Sequence, residues 1–447
     1  MVLTTSGPSV EEVVGVARHG WMATIDQASQ AAMAASYRVA SALIEEDHAV
    51  YGLSTGFGAL ADRYIPPHQR AALQIRLVRS HAATVGEEIE TEVVRAMMLL
   101  RAATLAKGYS GVRPVLAHRL VELLNAGVTP VVREHGSLGC SGDLAPLAHV
   151  ALALVGEGEV ITRDGRRVPA VDTGVEPLVL EAKEGLALTN GTDGMLGMLC
   201  LACADIDLLL ASAEVAAAMS VEALLGTDQA FLPELAALRP HPGQAVSAAN
   251  MLAFLDGSGV VASHRANDTR VQDAYSLRCA PQVIGAARDT LDHARTVTER
   301  ELASAIDNPV VLPDGRVASC GNFHGAPIAY VADFLAIALA DVASIAERRI
   351  DRMLDRARSH GLPPFLAADP GVDSGLMLAQ YSAAALVADC RRLAVPASTD
   401  SIPTSGMQED HVSMGWAAAR KLRRSIDNAF RVVAIEVMAA ARAIDLR

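Results

Sequence analysis

The chain has 447 residues, 51% of them hydrophobic and 20% charged, so it can bury a large core, and its composition argues against disorder. Its formal net charge of -13 argues against nucleic acid or anionic membrane as the main partner. Six cysteines are sparse for this length and read as the reduced thiols of a cytoplasmic protein.

Residues 1–20 contain Glu11 and Glu12 and lack the apolar stretch of a signal peptide. YGLSTGFG at 51–58 is glycine-rich but fits no phosphate-loop spacing. It reads as a turn-rich loop or as a mobile lid carrying Tyr51. A tyrosine serves as general base only if its pKa falls from about 10. RSHAA at 79–83 is a second polar loop, and residues 90–107 then show helical periodicity. After GSLGCSGDLAP at 136–146, the apolar run 144–156 is too short to span a bilayer, and no transmembrane helix is expected. EVITRDGRRVPA at 159–170 predicts a small hairpin turning at Asp164-Gly165.

LTNGTDG at 188–194 leads into an Ala- and Leu-rich helix over 194–224. Cys200 and Cys203 lie in that helix with no second ligand pair nearby, so packing is the better reading than zinc or redox chemistry. In RVQDAYSLRCAPQ at 270–282, Gln272, Tyr275 and Arg278 recur at helical spacing, and one face could present all three. Arg278 suits a carboxylate, although pairing with a structural acid is the commoner use of a lone arginine. NPVVLPDGRVAS at 308–319 predicts a second hairpin, at Asp314-Gly315. GNFHGAP follows at 321–327, and helices are expected over 326–358, 374–394 and 409–446. Gln408, Glu409, Asp410 and His411 are consecutive and cannot all ligate one ion from a helix; no metal site is specified.

The pattern predicts a mainly α fold: a long central helix bundle, a loop-bearing N-terminal region and small hairpins. Residues 1–184 form the loop-bearing region and 185–447 the long-helix core. No alternation of strand and helix supports a doubly wound sheet.

Three chemistries compete for GSLGCSGDLAP. Cys140 could be a nucleophile with His135 or His149, but no local signature supports that. Ser141 lacks the spacing of a nucleophile elbow. In the third, the nitrogen of Gly142, unhindered by a Cβ, attacks the carbonyl carbon of Cys140 and closes a five-membered ring. Loss of water, then loss of the Ser141 hydroxyl as a second water, leaves an exocyclic methylene, a strong electrophile. Such closure needs a tight, strained loop, which the flanking glycines permit.

Taken together, the loops resemble the aromatic amino-acid ammonia-lyase family. GSLGCSGDLAPLAH, YGLSTGFG, EGLALTNGT, VQDAYSLRCAPQV, ERELASAIDNPVV, GNFHGAP, ERRIDRML, LPPFL and PTSGMQEDHVSMG are similar to that family's blocks, in family order, from about residue 40 onward. The resemblance is strongest to histidine-specific members, through Ser80-His81, Met377 and Glu409. It implies conversion of L-histidine to trans-urocanate and ammonia by a methylidene-imidazolone (MIO) prosthetic group formed from Cys140, Ser141 and Gly142, with no diffusible cofactor or metal. It implies Tyr51 as the base, and Arg278 as the carboxylate anchor. Asn190, Gln272 and Tyr275 would orient the substrate and polarise the ring carbonyl of the prosthetic group. Phe323 would pack over the group, His81 and Glu409 would hold the imidazole, and Met377 would line its pocket. It also implies a small-molecule amino-acid substrate and a homotetramer with shared active sites.

Cys140 stands where the family usually has alanine, and the chain stops at IDLR, where histidine-specific members usually continue. Rival readings are a phenylalanine or tyrosine lyase, a 2,3-aminomutase, or a non-catalytic helical scaffold.

Overall fold

The computed structural model describes residues 1–45, 55, 56, 58–60, 62–266, 268 and 270–447. The fold is mainly α, with only short strands, as expected. Two compact units divide the chain. The first comprises Met1–Leu201, Thr296–Tyr330 and Ala397–Arg420; the second comprises Ala202–Arg295, Val331–Pro396 and Lys421–Arg447.

In the first unit, the Thr91–Ala106 helix is buried almost continuously from Val93 onward. A helix apolar all round needs neighbours on every side. Val10–His19 and Val115–Ala126 pack against it. A capping box starts the Val10–His19 helix: Ser9 Oγ accepts from Glu12 N at 3.2 Å, and Glu12 Oε2 accepts from Ser9 N at 2.9 Å. The Pro67–His81, Leu144–Leu154 and Glu184–Thr189 helices form a second packed group in this unit. Both expected hairpins form. Glu159–Ile161 pairs antiparallel with Arg167–Pro169, and Val310–Val311 pairs antiparallel with Val317–Ala318. Their turn glycines, Gly165 and Gly315, have φ of +80° and +87°.

Within the second unit, buried charge is tied into local networks. Arg349 and Glu436 are both fully buried and form a two-pronged ion pair, with Arg349 Nη2 donating to Glu436 Oε2 at 2.8 Å. Ser220 Oγ donates to Glu436 Oε1 at 2.7 Å. Glu214 accepts from Ser247, Asn250 and Arg288.

Two helices, Asp193–Ala223 and Ala326–Leu354, are long and apolar enough to cross a membrane by length and composition. Their most apolar windows are 72% and 61% buried within the protein. Their apolarity is therefore largely used in packing. Cys200 and Cys203 are both fully buried on the first of these helices.

Candidate active site

Backbone pairing and glycine hold the loop at 136–146 in its shape. Gly139 and Gly142 have φ of +65° and +73°, a region that disfavours side chains. A Cβ on Gly142 would lie 2.0 Å from the Gly191 carbonyl oxygen, so this position admits only glycine. Gly142 and Gly191 form a parallel bridge, and Asp143 N donates to Gly191 O at 2.7 Å. On the other side, Ser413 Oγ donates to Gly139 O at 2.9 Å, and Met414 N donates to Leu138 O at 2.9 Å.

Asp143 locks these segments together. Its carboxylate accepts from Ser137 Oγ at 2.8 Å and from Gly194 N and Met195 N at 2.9 Å each. Complete burial pushes its pKa up to about 7 against the pull of those donors. The Arg101 guanidinium, fully buried, clamps the segment beneath. It donates to Ala187 O, Asn190 O and Ile306 O at 2.9, 2.7 and 3.0 Å, and lies 3.1 Å from Asp193. Asn190 is thereby positioned: its Nδ2 donates to Asn308 O at 3.0 Å, while its Oδ1 is buried with no partner among the described residues.

A cavity of about 360 Å³ opens at the loop, lined by Cys140, Ser141, Asn308, Phe323, His324 and Glu409, among others. The first unit thus brings together Cys140, Ser141, Phe323 and Glu409. Glu409 is not on a helix, as its spacing suggested. It sits in an antiparallel bridge with Thr404, whose Oγ1 donates to Glu409 Oε2 at 2.8 Å. His81 ends the Pro67–His81 helix, with its Nδ1 3.1 Å from Ser80 Oγ. Burial lowers its pKa, and the Glu409 charge partly opposes that shift. The imidazole is therefore mainly neutral at pH 7.

The second unit carries Gln272, Tyr275, Arg278 and Met377. Here the single face expected for Gln272, Tyr275 and Arg278 is corrected. The helix is one turn, Tyr275–Arg278, and Gln272 precedes it in an irregular stretch. Asp273 O takes the Arg278 Nε donor at 3.0 Å, which orients the guanidinium over the exposed Tyr275 ring, 4.5 Å from its centroid. Met377 is the half-buried first residue of the Met377–Leu393 helix. Tyr51 lies outside the described residues.

Sequence reading missed Arg101, Asp143, Ser413 and the His324–His411 pair. The two imidazoles stack with centroids 5.6 Å apart and planes 5° from parallel, at the rim of the cavity. Arg101 alone left a usable trace: an arginine in the otherwise apolar run MMLLRAATLA.

Cys140 is a poor nucleophile here. Burial, reinforced by Glu409, pushes its thiol up to about 12. At pH 8 roughly one thiol in ten thousand is then ionised. Iodoacetamide at that pH is expected to leave Cys140 unmodified over a period that alkylates a small-molecule thiol completely. Peptide mapping checks this, and rapid labelling at Cys140 would contradict it.

The chain is mainly helical, and its glycine-locked Cys-Ser-Gly loop lines a small cavity. The aromatic amino acid lyase family model matches residues 9–447. The chain belongs to that family. Over the whole chain it is 62% identical to a histidine ammonia-lyase of Streptomyces avermitilis and 50% identical to one of Gloeobacter violaceus, covering 88% of each. Its fold matches the tyrosine aminomutase from Streptomyces globisporus with a TM-score of 0.94 at 42% identity, covering all of this chain and 88% of that one. The match to histidine ammonia-lyase from Trypanosoma cruzi has a TM-score of 0.90 at 39% identity, covering all of this chain and 84% of that one.

Proposed function

We propose that the chain deaminates L-histidine non-oxidatively to trans-urocanate and ammonia. One observation within the site carries this reading: Glu409 lines the cavity that holds Cys140 and Ser141, and its charge acts on the imidazole of His81. A carboxylate and a neutral imidazole together offer an acceptor and a second hydrogen-bonding partner for a substrate imidazole. An apolar phenyl ring would offer the same carboxylate no donor, leaving it the Thr404 hydroxyl.

The residues present fit a methylidene-imidazolone at Cys140-Ser141-Gly142. Gly142 lies in a slot that excludes a Cβ, and the loop is anchored on both sides. That group supplies an electrophile that makes the substrate amine a better leaving group. In this reading Tyr51 takes the β-proton and Arg278 binds the carboxylate. Asn190, Gln272 and Tyr275 orient the substrate. Phe323 packs at the electrophile, His81 and Glu409 bind the imidazole, and Met377 lines its pocket. This reading needs no metal and no diffusible cofactor.

It also takes the protein as a cytoplasmic homotetramer that shares residues between subunits at each active site. Apolar side chains left exposed at Phe334 and Ile337, and at Leu378 and Tyr381, support burial against further copies. The loop and its lid belong to residues 1–184 in this reading, and the supporting long helices to 185–447.

The similarity to a tyrosine aminomutase favours a second reading, in which tyrosine is the substrate. Ultraviolet absorbance reads urocanate from L-histidine and coumarate from L-tyrosine, and chromatography reads β-tyrosine: urocanate should appear with L-histidine, and neither of the other products with L-tyrosine. The reverse pattern would sink the histidine reading. Mass spectrometry of the same sample checks the electrophile and the assembly. The denatured chain should be lighter than its sequence by two waters, and the native species should have the mass of four chains. Full sequence mass would refute cyclisation.

A further inference from the structure

In the first unit a second cavity, of about 480 Å³, shares no lining residue with the one at Cys140. Arg18, His19, Arg95 and Arg163 line it, together with Thr91 and Thr129. Four basic side chains around one cavity are unexpected on a chain of net charge -13.

Their counter-charges are incomplete. Arg18 pairs with Glu92 at 2.6 Å. The carboxylate nearest to Arg163 in sequence, Asp164, is engaged by Thr162 and Arg166. Arg95 makes its hydrogen bonds to carbonyls alone: Ala17 O at 3.2 Å, Val16 O at 3.0 Å and Leu124 O at 3.3 Å. Arg163 donates to the next carbonyl, Asn125 O, at 2.6 Å. Among the described residues neither guanidinium meets a carboxylate. Both are thus held at the end of the Val115–Ala126 helix, where like charges repel. Burial and Arg163 together lower the pKa of Arg95.

The carbonyl ends of two helices offset part of this charge, roughly half an elementary charge each at most. Positive charge is left over, and so are donors. A guanidinium carries five N–H groups; Arg95 spends three on carbonyls and Arg163 one. Two such forks approaching from different elements match the several oxygens and double charge of a phosphate better than one carboxylate. The volume lies in the range of small-molecule sites and exceeds what a bare phosphate needs.

We propose that this cavity is a binding site for a small phosphate-bearing metabolite, with Arg95 and Arg163 as the ligands of its phosphate. The phosphate satisfies both guanidiniums, and the organic part occupies the remaining space beside Thr91 and Thr129.

The test uses the full-length protein, with inorganic phosphate and ribose 5-phosphate as probes. Sodium chloride at equal ionic strength is the control. Ribose 5-phosphate should raise the thermal unfolding midpoint and give a saturable calorimetric isotherm, inorganic phosphate should do so more weakly, and chloride should do neither. Arg163→Glu places a carboxylate beside Arg95. It should abolish the shift while leaving deamination in phosphate-free buffer at the parental rate. Arg95→Lys keeps a charge but loses the fork, and should weaken binding by about tenfold. A midpoint shift no larger than that of matched chloride would overturn the proposal. So would binding that survives both substitutions unchanged.

Discussion

Ser141→Ala is expected to abolish deamination, with a loss on the order of 10³-fold or more, and to leave the fold unchanged. The loss follows from the chemistry. Without the Ser141 hydroxyl the second dehydration cannot occur, so no exocyclic methylene forms, and no other side chain in the cavity supplies a comparable electrophile. The fold should survive because the anchors of the loop do not use this side chain. Ser413 holds Gly139 O, Met414 holds Leu138 O, and Asp143 bonds Ser137, Gly194 and Met195. A half-buried hydroxyl exchanged for a methyl in such a frame changes stability by roughly 0.5 kcal/mol. Activity is read by urocanate formation, fold by thermal unfolding and circular dichroism. Turnover retained by the variant would contradict the mechanism. Activity lost together with the unfolding transition would assign Ser141 a structural role instead.

In the second unit, Glu436→Leu should be among the most destabilising single substitutions, at about 3–5 kcal/mol. It leaves Arg349 charged and fully buried, with Ser276 O its remaining acceptor among the described residues, and it deprives Ser220 Oγ of its acceptor. The cost lies in the stranded partner more than in the lost attraction. Pairing the change with Arg349→Met should therefore recover most of the stability, since the double variant buries no unpaired charge. Denaturant midpoints of the parent, both single variants and the double variant measure this. A double variant no more stable than Glu436→Leu would show that the pair does not act as a unit.

Much of the fold was legible because its determinants are local. The apolar periods at 90–107 and 194–224 correspond to helices at Thr91–Ala106 and Asp193–Ala223, and Asp-Gly pairs mark both hairpin turns. Tyr275 shows the limit of such reasoning. A three-residue spacing suggested one helical face, but the helix there is a single turn, too short for periodicity to govern Gln272. The loop at 136–146 left three chemistries open on its own residues and was recognisable alongside the other blocks. Its supports were not, because they converge from 187–195, 306 and 413–414, and no local pattern links an arginine at 101 to carbonyls at 187, 190 and 306. The compact units, each assembled from three separated stretches, are equally invisible to a linear reading.

The contact between Gly142 and Gly191 carries a lesson for anyone who would move this loop into another scaffold. Because Gly142 leaves no room for a Cβ against Gly191, and the neighbouring amides at 194 and 195 complete the shell of Asp143, residues 136–146 are not a portable module. A graft that carried the tripeptide alone would arrive without its mould. The transferable piece is a composite of three strips, 136–146, 187–195 and 413–414, with Arg101 beneath them, and a chimera should be designed to exchange them together or not at all.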